Sequence, residues 1–428
     1  MNNKLVIDHH INKQAEGTYY TIPFAVPDAM EQIMVSYVYS KTAGRKGNSA
    51  KIKNVVDLGL MDRDGRFIGW SGSARDSVYV GAYSSTSGYL MTDISPGEWQ
   101  IIVGAYKIPG EGLDVRYEIE FLPHQPRWLT GDLHIHSDAS DGQYSAAVLA
   151  EKAKKAGLDF IAISNHNNYT DNLNLPVKPA LTLIPAVEWT HYKGHLNFFG
   201  VVSPFENSFI ANNEEDMMSL IANAKEKGAL ISVNHPKCRY CPYIWENDDC
   251  FDMVEVWNGP MRRDNMKAIS WWHDMLMNGR KIPITSGSDY HKSFHPARLA
   301  HPVIHVFSQS PSAGDIISAV SQGHSYITSS AKGAVLDLRY DTAMMGDNAI
   351  WNEETALSIT AEKVHPGCKL KLITSEGTAV EWEKFPNDEL KTQVKVSKNW
   401  RFAYLILTRK LFNFEYIRVI TNPIYFNK

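Results

Sequence analysis

The chain has 428 residues, 44% of them hydrophobic and 21% charged, with a formal net charge of -4. That length calls for two or three domains, and the composition is that of an ordinary globular protein. The charge speaks against a binder of nucleic-acid polymers or membrane surfaces, so an anionic substrate would need a local positive site, from basic side chains or bound cations.

Four cysteines do not make a disulfide framework. Cys238 and Cys241 form one Cys-x-x-Cys with no second pair, which reads as an incidental structural element rather than a zinc knuckle. No apolar run is long enough to span a bilayer, and Met1 to Asp8 holds no signal-peptide core. The expectation is a cytoplasmic protein acting on a small molecule, with a homo-oligomer compatible.

Residues 1–126 read as a β-sandwich. Leu113, Val115, Tyr117, Ile119 and Phe121 alternate with charged residues, the period of a strand with one buried face. Runs from Ile33 to Tyr39 and from Trp99 to Tyr106 are similar, with turn signals at Asp62-Arg63-Asp64-Gly65 and Ser95-Pro96-Gly97.

The pattern changes at Thr130. Ser145 can cap a helix that Gly157 ends, and Asn213 one that Gly228 ends. A third helix runs from Met266 to Asn278. Buried strands follow at Phe160–Ile163, Ala229–Val233 and Ile282–Thr285. This alternation predicts parallel strands with right-handed crossovers, and about seven strand candidates favour a closed or distorted barrel over residues 127–332. Beyond Gly333 the helices stop, and runs at 369–373, 402–407 and 416–420 predict a small C-terminal β domain over 333–428.

The polar residues fall at the strand exits. His134 and His136 lie two apart, so one strand presents both imidazoles on one face, and Asp141 follows in a Ser-Asp-Gly turn. His166, Glu188, His195, His235, Asp289 and His291 mark other junctions. In a β/α barrel such junctions share the rim where active sites form. Nine donors exceed one ion's coordination and suit two or three divalent ions; imidazole with carboxylate fits zinc, manganese or iron.

These motifs resemble the PHP (polymerase and histidinol phosphatase) superfamily of metal-dependent hydrolases. The segments Trp70-Ser71-Gly72-Ser73-Ala74-Arg75 and Glu255-Val256-Trp257-Asn258 are similar to its CehA/McbA-like branch. The resemblance covers about 131–330. It implies a distorted (β/α)7 barrel with up to three metals, a trinuclear centre, at one rim. On that pattern His134 and His136 would hold a first metal with Glu188 and Asp289. Glu188 would bridge to a second, completed by His195 and His235, while Asp141, His166 and His291 would hold a third. Asn165 stands where the family usually has Asp, which implies an altered hydrogen bond orienting His166.

The expected chemistry is hydrolysis of a small phosphorylated substrate by a metal-bridging hydroxide, with Glu188 holding the bridge and Asp289 able to shuttle a proton. Arg298, Lys237 and Arg263 are candidates to bind the phosphate and Asn258 to line the pocket, although a solvated surface charge is the plainer reading of each cation. Trp257 fits either pocket or core, and His324 reads as structural. Two other classes compete: a carbamate, ester or amide hydrolase on the same metals, and a non-catalytic metal-holding module.

Overall fold

The computed structural model describes residues 3–43, 52–176, 178, 180–205, 208–293, 296–411 and 414–427. Met1 and Asn2, which open the N-terminal stretch, lie outside them. The chain divides into two compact units, Met1–Gln125 and Pro126–Lys428.

The first unit is built from two four-stranded antiparallel sheets. One has the order Lys4–Ile11, Leu113–Pro123, Met30–Tyr39, Ser77–Gly81; the other runs Tyr19–Val26, Gly97–Lys107, Val55–Met61, Phe67–Gly72. The alternation read from Leu113 to Phe121 holds residue by residue, with the apolar members buried. Ile33, Val35, Tyr117 and Ile119 of one sheet share a core with Leu58, Trp99, Ile101 and Val103 of the other, the interdigitated interior of a sandwich.

The second unit is mostly strand. Its central sheet has seven members in chain order: β1 (Arg127–Ile135), β2 (Phe160–Ile163), β3 (Thr182–His191), β4 (Gly194–Phe199), β5 (Leu230–Asn234), β6 (Met253–Asn258) and β7 (Ile284–Gly287). The expected (β/α)7 alternation is not what the chain does. Among the described residues α-helices follow three of these strands, α1 (Ala146–Lys155) after β1, α2 (Glu214–Glu226) after β4 and α3 (Arg263–Met277) after β6, and a single 3-10 turn, Asp171–Asn174, follows β2. β3 turns directly into β4 as an antiparallel hairpin, and β4 pairs antiparallel with β5, so β4 alone is reversed. The reason is local: the short turn at Tyr192 and Lys193 cannot hold the crossover that parallel neighbours need.

The two ends of this sheet meet. Ile135 bridges Tyr290, the Asp289 amide donates to the His134 carbonyl at 2.8 Å, and the His136 amide to the Tyr290 carbonyl at 3.0 Å. Gly287 permits the approach, because a Cβ there would lie 2.1 Å from that of His134. Asp132 locks the seam from below: its buried carboxylate accepts from the Ser288 and Ala300 amides at 2.9 and 3.0 Å.

Helix signals were readable. Asn213 caps α2 by accepting from the Asp216 amide, whereas Ser145 precedes α1 without a side-chain cap bond. α3 buries Ala268, Ile269, Trp272 and Leu276 against the sheet, and the Trp272 indole donates to the Ile282 carbonyl at 2.8 Å. Each such large side chain contributes roughly 2–3 kcal/mol of transfer free energy.

The separate C-terminal domain expected from residue 333 is corrected by the sheet itself. β8 (Val303–Ser308) joins β1, β9 (Ser325–Thr328) joins β8, and β9 pairs antiparallel with Phe414–Thr421. The C-terminal strands have their own apolar core, but one hydrogen-bonded ladder carries them into the same unit as the central sheet. Among the described residues no helix is long and apolar enough to cross a membrane.

Candidate metal centre

Glu188 lies on β3, fully buried, and its two oxygens face different imidazoles. Oε2 lies 2.9 Å from His166, 3.3 Å from His134 and 3.4 Å from His136. Oε1 lies 3.0 Å from His195 and 3.2 Å from His235, and accepts from the Asn234 amide group at 2.9 Å. Asp289 Oδ1 approaches His136 at 3.1 Å and His134 at 3.5 Å. Asp141 Oδ1 stands 3.3 Å from His291, 3.7 Å from His166 and 3.9 Å from His136. All nine residues singled out from the sequence therefore converge.

The strand reversal explains His195. It sits near the start of β4 rather than at a strand exit, but because β4 is antiparallel its start reaches the same rim, in register with Asn234. His235 and Asp289 have φ of 29° and 52°. Neither is glycine, and this left-handed backbone is a cost that folded proteins concentrate at functional sites.

The donor atoms pass a test of fit for cations. Nε2 of His134, both ring nitrogens of His136 and Oε2 of Glu188 are buried without a hydrogen-bond partner. Buried polar atoms are nearly always satisfied, so a group of orphans around one point is the signature of a site that metal ions complete. Subsets within ligating reach of one ion include His134, His136 and Glu188; His134, His235 and Asp289; His166, Glu188 and His195; and His136, Asp141, His166 and His291.

Electrostatics follow from burying anions together. Burial alone would push the Glu188 carboxyl up, but the neighbouring His134 and His195 rings outweigh it and hold Glu188 well below the usual carboxylate range. Burial would likewise lower His134, yet Glu188, Glu255 and Asp289 drive it well above the ordinary imidazole value. Burial pushes His136 down to about 4. The centre attracts positive charge, and protons and metal ions compete for the same nitrogens.

Several supporting residues escaped sequence reading. Glu255 on β6 is buried; Oε1 lies 3.0 Å from His134 Nδ1, and Oε2 accepts from the His235 amide at 2.9 Å and the Asn258 side chain at 3.3 Å. A lone carboxylate between Val254 and Val256 in an apolar strand was the available signal. Cys241 Sγ approaches His235 Nδ1 at 3.6 Å and Cys238 Sγ at 3.1 Å, with both cysteines free, so the Cys-x-x-Cys borders the centre.

The inferred role of Asn165 is corrected. His166 Nδ1 is held by the Thr190 hydroxyl at 2.6 Å. Asn165 instead accepts from the Ser137 amide at 2.8 Å and donates to Asp171 at 2.9 Å. An aspartate there would set two carboxylates against each other.

The basic candidates divide differently from expectation. Arg298 lines cavities bounded by Trp257, Tyr416 and Arg418 and by Lys152 and Leu299, not the one that holds Asp289 and His291. Lys237 lies over the Trp271 ring at 4.1 Å, and Arg263 is an exposed residue opening α3. Asn258 does line the cavity of about 430 Å³ that contains Asp141, Asp289 and His291, and there it meets Arg262 and Lys292. Arg262 donates to Asn258 Oδ1 at 3.1 Å. Trp257 is core, its indole donating to the Gly259 carbonyl, and His324 pairs with Asp347.

No family model matches the chain, and no curated relative does. Solved structures similar to it include a two-domain protein from Bacteroides vulgatus containing a predicted PHP-like metal-dependent phosphoesterase, at 17% identity over 69% of this chain and 95% of that one, TM-score 0.42. A candidate metal-dependent phosphoesterase from Bifidobacterium adolescentis is 16% identical over 40% of this chain and 90% of its own, TM-score 0.28. An amidohydrolase from Chromobacterium violaceum is 14% identical over 39% and 89%, TM-score 0.27. At these scores the argument for function rests on the side chains.

Proposed function

We propose that the protein is a metal-dependent hydrolase of the PHP type, CehA/McbA-like, acting on a small phosphoester. The observation that carries this reading is the group of buried, unpartnered donor atoms on His134, His136 and Glu188. On it, Glu188 with His134, His136, Asp289, His195 and His235 would hold two ions, and Asp141, His166 and His291 would hold a third. Zinc, manganese or iron fits the donor set, and such ions supply Lewis acidity and lower the pKa of water at neutral pH.

The chain's own residues do the rest. Glu255 fixes the ring of His134 and the backbone of His235, so that Nε2 of each stays aimed at Glu188. Asp289, about a quarter exposed at the rim, is placed to accept a proton from incoming water and return it to the leaving oxygen. Arg262 and Lys292, in the same cavity as Asp289 and His291, orient an anionic group. Their presence favours phosphorus over a neutral carbamate, ester or amide.

A panel of matched aryl phosphates, esters and carbamates, assayed on metal-reconstituted protein, tests the choice. Phosphate turnover that drops at least about tenfold in Arg262→Ala supports it. Turnover of carbamates alone moves the protein to the second class. Tight binding of a macromolecule without any hydrolysis favours the third.

A further inference from the structure

Cys238 and Cys241 take no part in the hydrolysis proposed above, yet a change at their sulfurs would reach the centre. Both thiols are free, and their Sγ atoms lie 3.1 Å apart. They belong to the irregular stretch between β5 and β6, so no helix or ladder resists the approach of about 1 Å that a disulfide needs. Both are half-buried, whereas Cys250 and Cys368 are only 3% and 4% exposed. Cys241 also lines a cavity of about 460 Å³, together with His191, His195 and Asn212. A small oxidant therefore reaches this pair before the other two thiols.

Cys241 is also tied to a candidate ligand. His235 turns Nε2 toward Glu188 at 3.2 Å. A ring that ligates through Nε2 carries its proton on Nδ1, and the orientation of the ring is set by whatever accepts that proton. The atom facing Nδ1 is Cys241 Sγ, at 3.6 Å.

We infer that Cys238 and Cys241 are an oxidation site: a peroxide joins them as a disulfide, and the disulfide weakens the hold of His235 on its ion. This rests on the metal reading of the centre and not on the choice of phosphoester. The Cys241 sulfur attacks one oxygen of hydrogen peroxide, the O–O bond breaks, and the departing hydroxide leaves as water with the thiol proton. Cys241 is then a sulfenic acid. The Cys238 sulfur attacks it, the S–O bond breaks, and the hydroxyl leaves as a second water with the Cys238 proton. Two thiols lose two electrons and two protons, and the peroxide is reduced to two waters. Drawn toward Cys238, the Cys241 sulfur no longer steadies Nδ1.

The test uses the full chain reconstituted with zinc, which has no redox chemistry of its own. The protein is treated with hydrogen peroxide and then with a phosphine reductant. Peptide mass mapping should find Cys238 joined to Cys241 with the loss of two hydrogens, and Cys250 and Cys368 still free. Zinc affinity, read by chelator competition, should fall about tenfold on oxidation and return on reduction. Cys241→Ala should show the lowered affinity without peroxide and no further fall with it. Reduced Cys238→Ala should bind zinc as the wild type does. Failure of the linkage to form, or full zinc affinity once it has formed, overturns the inference. If reduced wild type binds no zinc at all, the metal reading itself has failed, and the mass map still decides the oxidation site.

Discussion

At the scale of single residues, the centre depends on one carboxylate being reached from two sides. Glu188 is held ionised by its histidines, and those rings are themselves aimed by atoms that touch no substrate. Glu255 is the clearest of these, since it reaches both His134 and the strained backbone of His235. Glu255→Gln keeps the shape and removes the charge. Metal affinity, read by chelator competition, should fall about 10–100-fold. An unchanged affinity would show that the two histidines need no such support. Most of the nine candidates were legible because they stand at or near the end of an apolar run, where a histidine or carboxylate has no packing reason to be; His195, which lies near the start of its strand, and Asp141, in a turn, carry no such mark. Glu255 was harder to read: it faces the ring of His134 from within a strand that otherwise looks like core.

At the scale of elements, the reversed β4 and the glycine seam between β1 and β7 decide whether the rim closes. β8 flanks β1 and carries His305, which is buried against Tyr326 and bonded on both ring nitrogens, to Thr130 at 2.9 Å and Thr328 at 3.0 Å. Burial pushes His305 down to about 4. Its folded value lies below its unfolded one, so between those values the unfolded chain binds more protons. Stability is therefore full above about pH 6.5 and falls as pH drops toward 4, by roughly 3 kcal/mol from this group. His305→Gln should flatten the pH dependence of urea unfolding in that window; an unaltered slope would assign it elsewhere. The hairpin that reverses β4 was not legible, because an apolar run of strand length carries no direction. The basic residues are placed differently from what their sequence positions suggest. Arg298 was favoured for its closeness in sequence to Asp289 and His291, but the loop after β6 brings Arg262 to that cavity instead.

At the scale of the whole molecule, alternation with period two matched the strands of the sandwich, and the change of pattern read at Thr130 falls near the division between the two units at Gln125 and Pro126. The boundary near 332 was drawn where helices stop, but the ladder continues from β9 into Phe414–Thr421. Strand pairing across so long a separation leaves no mark in local sequence. A chain ending at residue 332 should consequently expose the β9 edge and be insoluble, whereas an independent C-terminal domain would leave a soluble, metal-binding protein. The most direct test of the account is elemental analysis of anaerobically purified full-length protein beside Glu188→Gln. The account predicts two or three divalent ions per chain in the wild type and at least one fewer in the variant. Fewer than one ion in the wild type, or the same content in both, would contradict it.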